Sequence, residues 1–306
     1  MNAITLYARA TAGFDERVAH TLSVLQRSAA EHPGTIVQAT SLGAEDMVVT
    51  DLIARFKLPI AIGTLETGKL HAQTVALIGT IESHYGLNVE VYRPVNETVV
   101  HFVREHGERA MYQSIDLRKG CCAIRKLEPL SRMLAERGAW VTGMRREQSN
   151  HRGTVEFAEV DDKGRAKFNP LADWTWADVW HYISLHGVPC NPLHDEFMPS
   201  IGCEPCTRAI AVGEDFRAGR WWWESEDAKE CGLHVSPHSD DAPAASPLRS
   251  EGARGFVSAQ ANFGEAEVKG STEPGRSHSE DAKECGLHVH VLEQDAAQVS
   301  MIGSNR

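Results

Sequence analysis

The sequence predicts an α/β protein built on a mostly parallel sheet with helices on both faces. Three observations lead there. Short apolar strand-like runs alternate along the chain with amphipathic stretches of helical length. Polar loops, SLGAED, TLETGK and GMRREQSNHR, follow those runs where ligands gather in such sheets, beyond the carboxyl ends of the strands. With 306 residues, 42% of them hydrophobic, the chain is long enough to bury one substantial core with an appendage.

Element by element, the first helix is expected over residues 14–32, with Val18, Leu22 and Leu25 on one face. TIVQATSLGAEDMVVTDLIARF then reads as a strand over residues 35–40, a tight loop over 41–44 and a helix over 45–56. LPIAIGTLETG is a strand and loop leading into a helix that runs through Ser83. LNVEVYRP alternates as a strand, and AWVTGMRR is a strand running into a basic loop. In NPLADWTWADVWHYI, Asp173 or Thr175 is placed to start a helix with Val179 and Ile183 on one face. Trp174, Trp176 and Trp180 of that stretch read as packing residues.

The formal net charge of -11 and a pI near 5.7 argue against nucleic-acid or anionic-membrane partners, although local arginines can still hold a small anion. The N-terminal twenty residues lack the apolar run of a signal peptide, and no later stretch has the length of a membrane span. A soluble, cytoplasmic protein is expected. From Ser236 onward Leu, Ile, Val and Phe make up 11 of 71 residues, and acidic residues outnumber basic ones 11 to 6. That is too little apolar material for a core, so residues 236–306 are expected to form a disordered tail behind a domain spanning 1–235.

Seven cysteines, an odd number, point in a reducing compartment to metal ligands or a working thiol rather than disulfides. KGCCAIRK holds the adjacent pair Cys121 and Cys122. Roughly eighty residues later SIGCEPCTR holds Cys203 and Cys206 as C-x-x-C. Four thiolates can close a tetrahedral zinc site or hold an iron–sulfur cluster. Adjacent cysteines fit a zinc knuckle poorly because neighbouring side chains diverge, and they reach two corners of a larger cubane more easily. Buried apolar thiols are disfavoured by the flanking Lys119, Arg125 and Lys126.

SLGAED can offer backbone N–H groups and a helix N-terminus to a phosphate or sulfate. Arg145, Arg146 and Arg152 in one basic loop, and Arg217 and Arg220 in FRAGRWWW, add forks suited to those oxygens. Any one of them can instead be a solvated charge paired with Glu147 or Glu214. The segment SEDAKECGLHV occurs twice, over residues 225–235 and 279–289, so Cys231 and Cys285 sit in the same local sequence.

SLGAED, TLETG, KGCCAIRKLEPL, GMRREQS, NPLADWTWADVW, IGCEPCTR, GRWWWE and ECGLH, in this order between about Thr35 and Val235, closely resemble the assimilatory sulfonucleotide reductases. These enzymes reduce adenylyl sulfate (APS) or its 3′-phosphorylated form (PAPS) to sulfite. The resemblance implies an adenine nucleotide alpha hydrolase-like fold of the PP-loop type. It also implies a [4Fe–4S] cluster on Cys121, Cys122, Cys203 and Cys206, a set belonging to the branch usually associated with APS. Cys231, in a C-terminal catalytic segment over 221–235, is implied as the nucleophile that takes up the sulfonate, with thioredoxin releasing sulfite from it. Ser41, Gly43 and Asp46 fall in the nucleotide loop. Lys126 falls between cluster and substrate, Arg145, Arg152, Arg217 and Arg220 on phosphate and sulfate, and His234 beside the nucleophile. A homo-oligomer is expected as well.

Two departures stand out. Glu66 replaces a frequent Asp in TLETG, and the chain continues past ECGLH into the second copy. PAPS reduction is the neighbouring alternative. An ATP pyrophosphatase-type ligase or thiolating enzyme would show an SGG-x-DS loop in place of SLGAED, and a non-enzymatic redox sensor would keep the cysteines without the chemistry.

Overall fold

The computed structural model describes residues 2–148 and 155–225. Arg152, Cys231, His234, Cys285 and the stretch expected to be a tail lie outside the described residues.

A short N-terminal helix, α1 (Ala3–Tyr7), precedes α2 (Phe14–Glu31), which buries Thr21, Val24, Leu25 and Ser28. The alternating units follow as β1 (Ile36–Thr40), α3 (Ala44–Arg55), β2 (Ala61–Leu65), α4 (Ala72–Tyr85) and β3 (Val89–Tyr92). After β3 come α5 (Asn96–His106), α6 (Ile115–Cys122) and α7 (Glu128–Met133), then β4 (Ala139–Val141), β5 (Ala158–Val160), β6 (Ala166–Phe168) and α8 (Trp176–His186).

The sheet order is β3-β2-β1-β4-β6-β5, parallel throughout except for β5, which pairs antiparallel with β6. Val37 faces Ala61 on one side and Trp140 on the other, so β1 is the central strand at which the chain reverses its direction of travel across the sheet. Alternation along β1 sends neighbouring residues to opposite faces. Ile36 joins the large core formed with α2, α3, α4 and α8, whereas Val37 and Trp140 pack with Met133 and Leu134 on the other face. Both faces are therefore covered.

Polar groups inside this core are matched. Asp51 of α3 accepts hydrogen bonds from Tyr182 Oη at 2.7 Å and Tyr85 Oη at 3.1 Å, joining α3, α4 and α8. Of the two residues placed to start α8, Thr175 does so. It accepts from the Asp178 N–H at 3.1 Å, and Asp178 accepts from the Thr175 N–H at 3.1 Å, a reciprocal capping box. Trp174 and Trp180 are fully buried, as packing residues should be.

The β5–β6 hairpin was not expected, because three-residue strands carry too little alternation to register. The cysteine pair also sits in an unusual place. Between α6 and α7, residues Ala123–Leu127 form a π-helical stretch that starts directly after Cys122. A widened turn of this kind re-aims the side chains beside it and often accompanies a functional site.

Candidate functional site

A cavity opens at the carboxyl ends of β1, β2 and β4, at the switch point where sheet order reverses. Its floor is the loop after β1. Leu42 there takes a left-handed φ of 63° and is buried, which bends the chain so that Gly43 begins α3. Asp46, in the first turn of α3, folds back to accept hydrogen bonds from the Ser41 N–H and Oγ, both at 2.6 Å, and from the Gly143 N–H at 2.8 Å. One carboxylate thus ties the loop after β1 to the loop after β4. Burial pushes its pKa up to about 6 against the lowering effect of those donors.

Ser41, Gly43, Asp46, Lys126, Arg217 and Arg220 all line this cavity. Arg145 does not. It is 1% exposed, behind the wall, where Nε and Nη2 hold Glu45 Oε1 at 3.1 and 3.0 Å and Nη1 pairs with Glu147. Gln148 Nε2 joins the same Glu45 oxygen at 2.9 Å. The guanidinium thereby compensates an acidic residue on the cavity wall. Expected on phosphate or sulfate, Arg145 forms here an ion pair whose partner lies 100 residues away in sequence. Arg146 reaches Val155 O and the Phe157 ring instead.

A second, smaller cavity is lined by Cys121, Cys122, Cys203 and Cys206 together with Arg118, Arg125 and other groups. Two loops build it. The TLETGK loop pairs Leu70 with Cys203 in an isolated bridge, Lys69 O accepts from the Glu204 N–H at 2.8 Å, and Thr67 Oγ1 lies 3.3 Å from Cys203 Sγ. Arg125 Nη1 donates to Thr67 O at 2.7 Å, fixing that loop to the π-helical stretch beside Cys122. Burial raises the Cys121 thiol, and burial with the neighbouring Cys203 and Cys122 pushes Cys206 up to about 12. Cys190 packs against the main core instead. Among the described residues no three His, Cys, Asp or Glu side chains close around a single metal ion.

Lys126, Arg220 and Trp221 line both cavities and form the wall between them. Arg220 lies over the Trp221 ring at 4.6 Å, and the Trp221 N–H donates to Cys206 O at 3.3 Å. Gly202 leaves the space this needs, since a Cβ there would stand 2.3 Å from Arg220 Nη2.

The residues 35–209 match the phosphoadenosine phosphosulfate reductase domain. The chain belongs to that reductase family. Among its relatives is an adenosine 5′-phosphosulfate reductase of Burkholderia cepacia, 53% identical over 216 residues, which span 70% of this chain and 86% of that protein. A protein of the same name from Allochromatium vinosum is 52% identical over 214 residues, 70% and 84% of the two chains. A crystal structure of phosphoadenylyl-sulfate reductase from Candida auris in complex with phosphate superposes with a TM-score of 0.53 at 25% identity, covering 66% of this chain and all of that one. The cavity over the β1 loop and the cysteine cavity are neighbours across the wall that Lys126, Arg220 and Trp221 form.

Several side chains of the site went unseen in the sequence. His194 lines the larger cavity, is 4% exposed, and is held by Nδ1 against Met198 O at 3.0 Å. Burial takes its pKa down to about 4, so the ring is neutral near pH 7. Met198 O only accepts, so Nδ1 carries the proton. NPLHDE has no spacing that marks such a residue. Trp221 had a weak signal, the run of three tryptophans in GRWWWE, which does not by itself mark a shared wall. No helix among the described residues is long and apolar enough to cross a membrane.

Proposed function

We propose that the protein reduces adenosine 5′-phosphosulfate to sulfite and AMP. The observation that carries this reading is the wall of Lys126, Arg220 and Trp221, which sets a cavity with an anion-binding loop against a cavity of four thiols. Relatives that bear the name of that activity, at about half identity over most of their length, support it.

The chemistry assigns each group a task. The loop N–H groups and the start of α3, with Lys126, Arg217 and Arg220, neutralise and orient the phosphosulfate. The Cys231 thiolate forms a bond to the sulfate sulfur, the S–O bond to the phosphate breaks, and AMP leaves with the electron pair. The product on the protein is an S-sulfonate. A reduced dithiol protein, thioredoxin by class, then attacks Cys231 Sγ, sulfite departs, and the mixed disulfide resolves into oxidised thioredoxin and free Cys231 thiol. Two electrons pass from dithiol to sulfur. Arg152 and His234 are proposed beside the sulfate and the nucleophile.

A [4Fe–4S] group fits the donor set: four thiols from two segments, with Arg118, Arg125 and Lys126 on the same wall to balance thiolate charge. Bound by Cys121, Cys122, Cys203 and Cys206, it would supply a fixed charge behind the wall that Lys126 and Arg220 share with the nucleotide. The reductase unit is proposed to span 1–235, with 221–235 as its catalytic segment, and to work in the cytoplasm as a homo-oligomer.

The test is sulfite release from APS and from PAPS, with reduced thioredoxin and no ATP. Release from APS well above PAPS supports the reading. Preference for PAPS, or a requirement for ATP, would overturn it.

A further inference from the structure

Glu224 is one of the last described residues and stands seven positions before Cys231. Its carboxylate is held by both arms of one guanidinium: Arg118 Nε donates to Oε1 at 2.9 Å and Nη2 to Oε2 at 2.7 Å. The two side chains are 0% and 3% exposed. Arg118 also lies over the Trp221 ring at 4.8 Å, beside Arg220 at 4.6 Å, and touches Cys122. It stands on α6 one turn before Cys122, so a single helix carries both.

An ion pair this deeply buried needs an explanation. Removing two charges from water costs several kcal/mol per ion, and apolar residues of similar size hold a core at least as well. What the pair adds is direction, because a bidentate fork fixes the carboxylate in position and angle. The fixed point is the end of the turn that builds the wall, since the Glu224 N–H donates to Trp221 O at 2.8 Å. Seven residues extend at most about 25 Å, so the place where the chain is fastened bounds the distance between it and Cys231.

We infer that the Arg118–Glu224 pair is a latch that fastens the root of the Cys231 segment to the cysteine-bearing helix, making both residues positioning residues for the attack on the sulfate. This rests on the proposed function and adds to it two positioning residues; the same guanidinium touches Cys122 and holds Glu224.

The experiment uses full-length protein with Glu224→Gln and Glu224→Ala, in single turnover with APS. Four quantities are read: the rate of Cys231 S-sulfonate formation by mass spectrometry, the rate of Cys231 alkylation by iodoacetamide, AMP affinity, and iron content. Tryptic peptides separate Cys231 from Cys285, because the two copies diverge after Val235 and Val289. A latch predicts that S-sulfonate formation slows on the order of a hundredfold in Glu224→Ala, and less in Glu224→Gln, while the other three stay within about twofold of wild type. Unchanged S-sulfonate rates in both variants would overturn the latch. So would a slowing that tracks loss of iron or of AMP affinity, which is the mark of a merely structural pair. Wild-type protein that forms no adduct would overturn the functional reading itself, and the latch with it.

Discussion

The carboxylate of Asp46 accepts the backbone N–H of Gly143 at 2.8 Å, and through this one contact the loops after β1 and β4 are held as a single rim. The relation works only because residue 143 lacks a side chain. A Cβ there would stand 2.5 Å from Asp46 Oδ1 and 3.0 Å from the Asp46 backbone nitrogen. Gly143→Ala is therefore expected to push the rim apart, lowering stability by about 1–3 kcal/mol and weakening AMP binding. Thermal unfolding with calorimetric AMP titration checks it, and a variant that matches wild type in both would show that the rim yields without consequence.

That rim also shows what the sequence reveals and what it hides. β1 and α3 could be read within a residue or two, because apolar alternation and a small-residue loop before a helix are local signals. Of the six cavity-lining residues, Ser41 and Gly43 lie in the strand-end loop that the alternation foretold and Asp46 in the helix turn after it, whereas Lys126, Arg217 and Arg220 come from segments that follow no strand. The ion pair of Arg145 stayed hidden for a physical reason. A strand-end arginine looks the same whether it meets an anion or a buried Glu45 from a distant segment. His194 and the Arg118–Glu224 pair had no local signal at all, since burial and long-range pairing arise only on folding. The π-helical turn beside Cys122 has no periodicity of its own in the sequence.

Asp46 and His194 make opposed pH predictions in one window. The folded His194 pKa lies near 4, below its ordinary 6.5, so the folded state binds fewer protons. Its contribution to stability is present above pH 6.5 and is lost as pH falls towards 4. Asp46 is raised from 3.8 to about 6, so its contribution is present below pH 4 and is lost as pH rises to 6. Each amounts to about 3 kcal/mol. In denaturant titrations between pH 4 and 7, the stability of wild type minus His194→Phe should rise with pH, and wild type minus Asp46→Asn should fall. Two flat differences would mean that neither group titrates abnormally.

Arg217 and Arg220 are three residues apart but should not behave alike. Arg217 lines only the larger cavity, whereas Arg220 belongs to both cavities and stacks on Trp221. A charge-assisted contact is worth about 1.5–3 kcal/mol, so each change to Ala is expected to weaken nucleotide binding tenfold or more. Only Arg220→Ala should also lower the thermal midpoint. Equal stability of the two variants would remove Arg220 from the wall.

The thiol cavity makes a compositional prediction. Cys203→Ser or Cys206→Ser removes one of four thiols and should abolish the brown absorbance with the iron and sulfide. The double variant is the stricter case. Full iron and sulfide content in it would show that the proposed cluster is not held by these thiols.

The last prediction separates the two copies of SEDAKECGLHV. Cys231 is expected to carry the S-sulfonate and Cys285 to be dispensable. The first copy begins at Ser225, directly after the turn in which Trp221 is walled between the cavities and Glu224 is clasped by Arg118. The second copy follows GRSH, which has no tryptophan. Identical local sequence gives both cysteines the same intrinsic reactivity, so the difference between them is one of delivery. Delivery over a longer span is not forbidden, because closure entropy grows only slowly with length: each doubling costs about 0.6 kcal/mol. A freely tethered Cys285 would then lag Cys231 by a modest factor, whereas a nucleophile that depends on its anchor should leave Cys285 silent. Mass spectrometry of APS-treated Cys231→Ser and Cys285→Ser proteins distinguishes these cases. An adduct that survives the loss of Cys231 and vanishes with Cys285 would reverse the assignment, and an adduct on both copies at similar rates would show that anchoring contributes little.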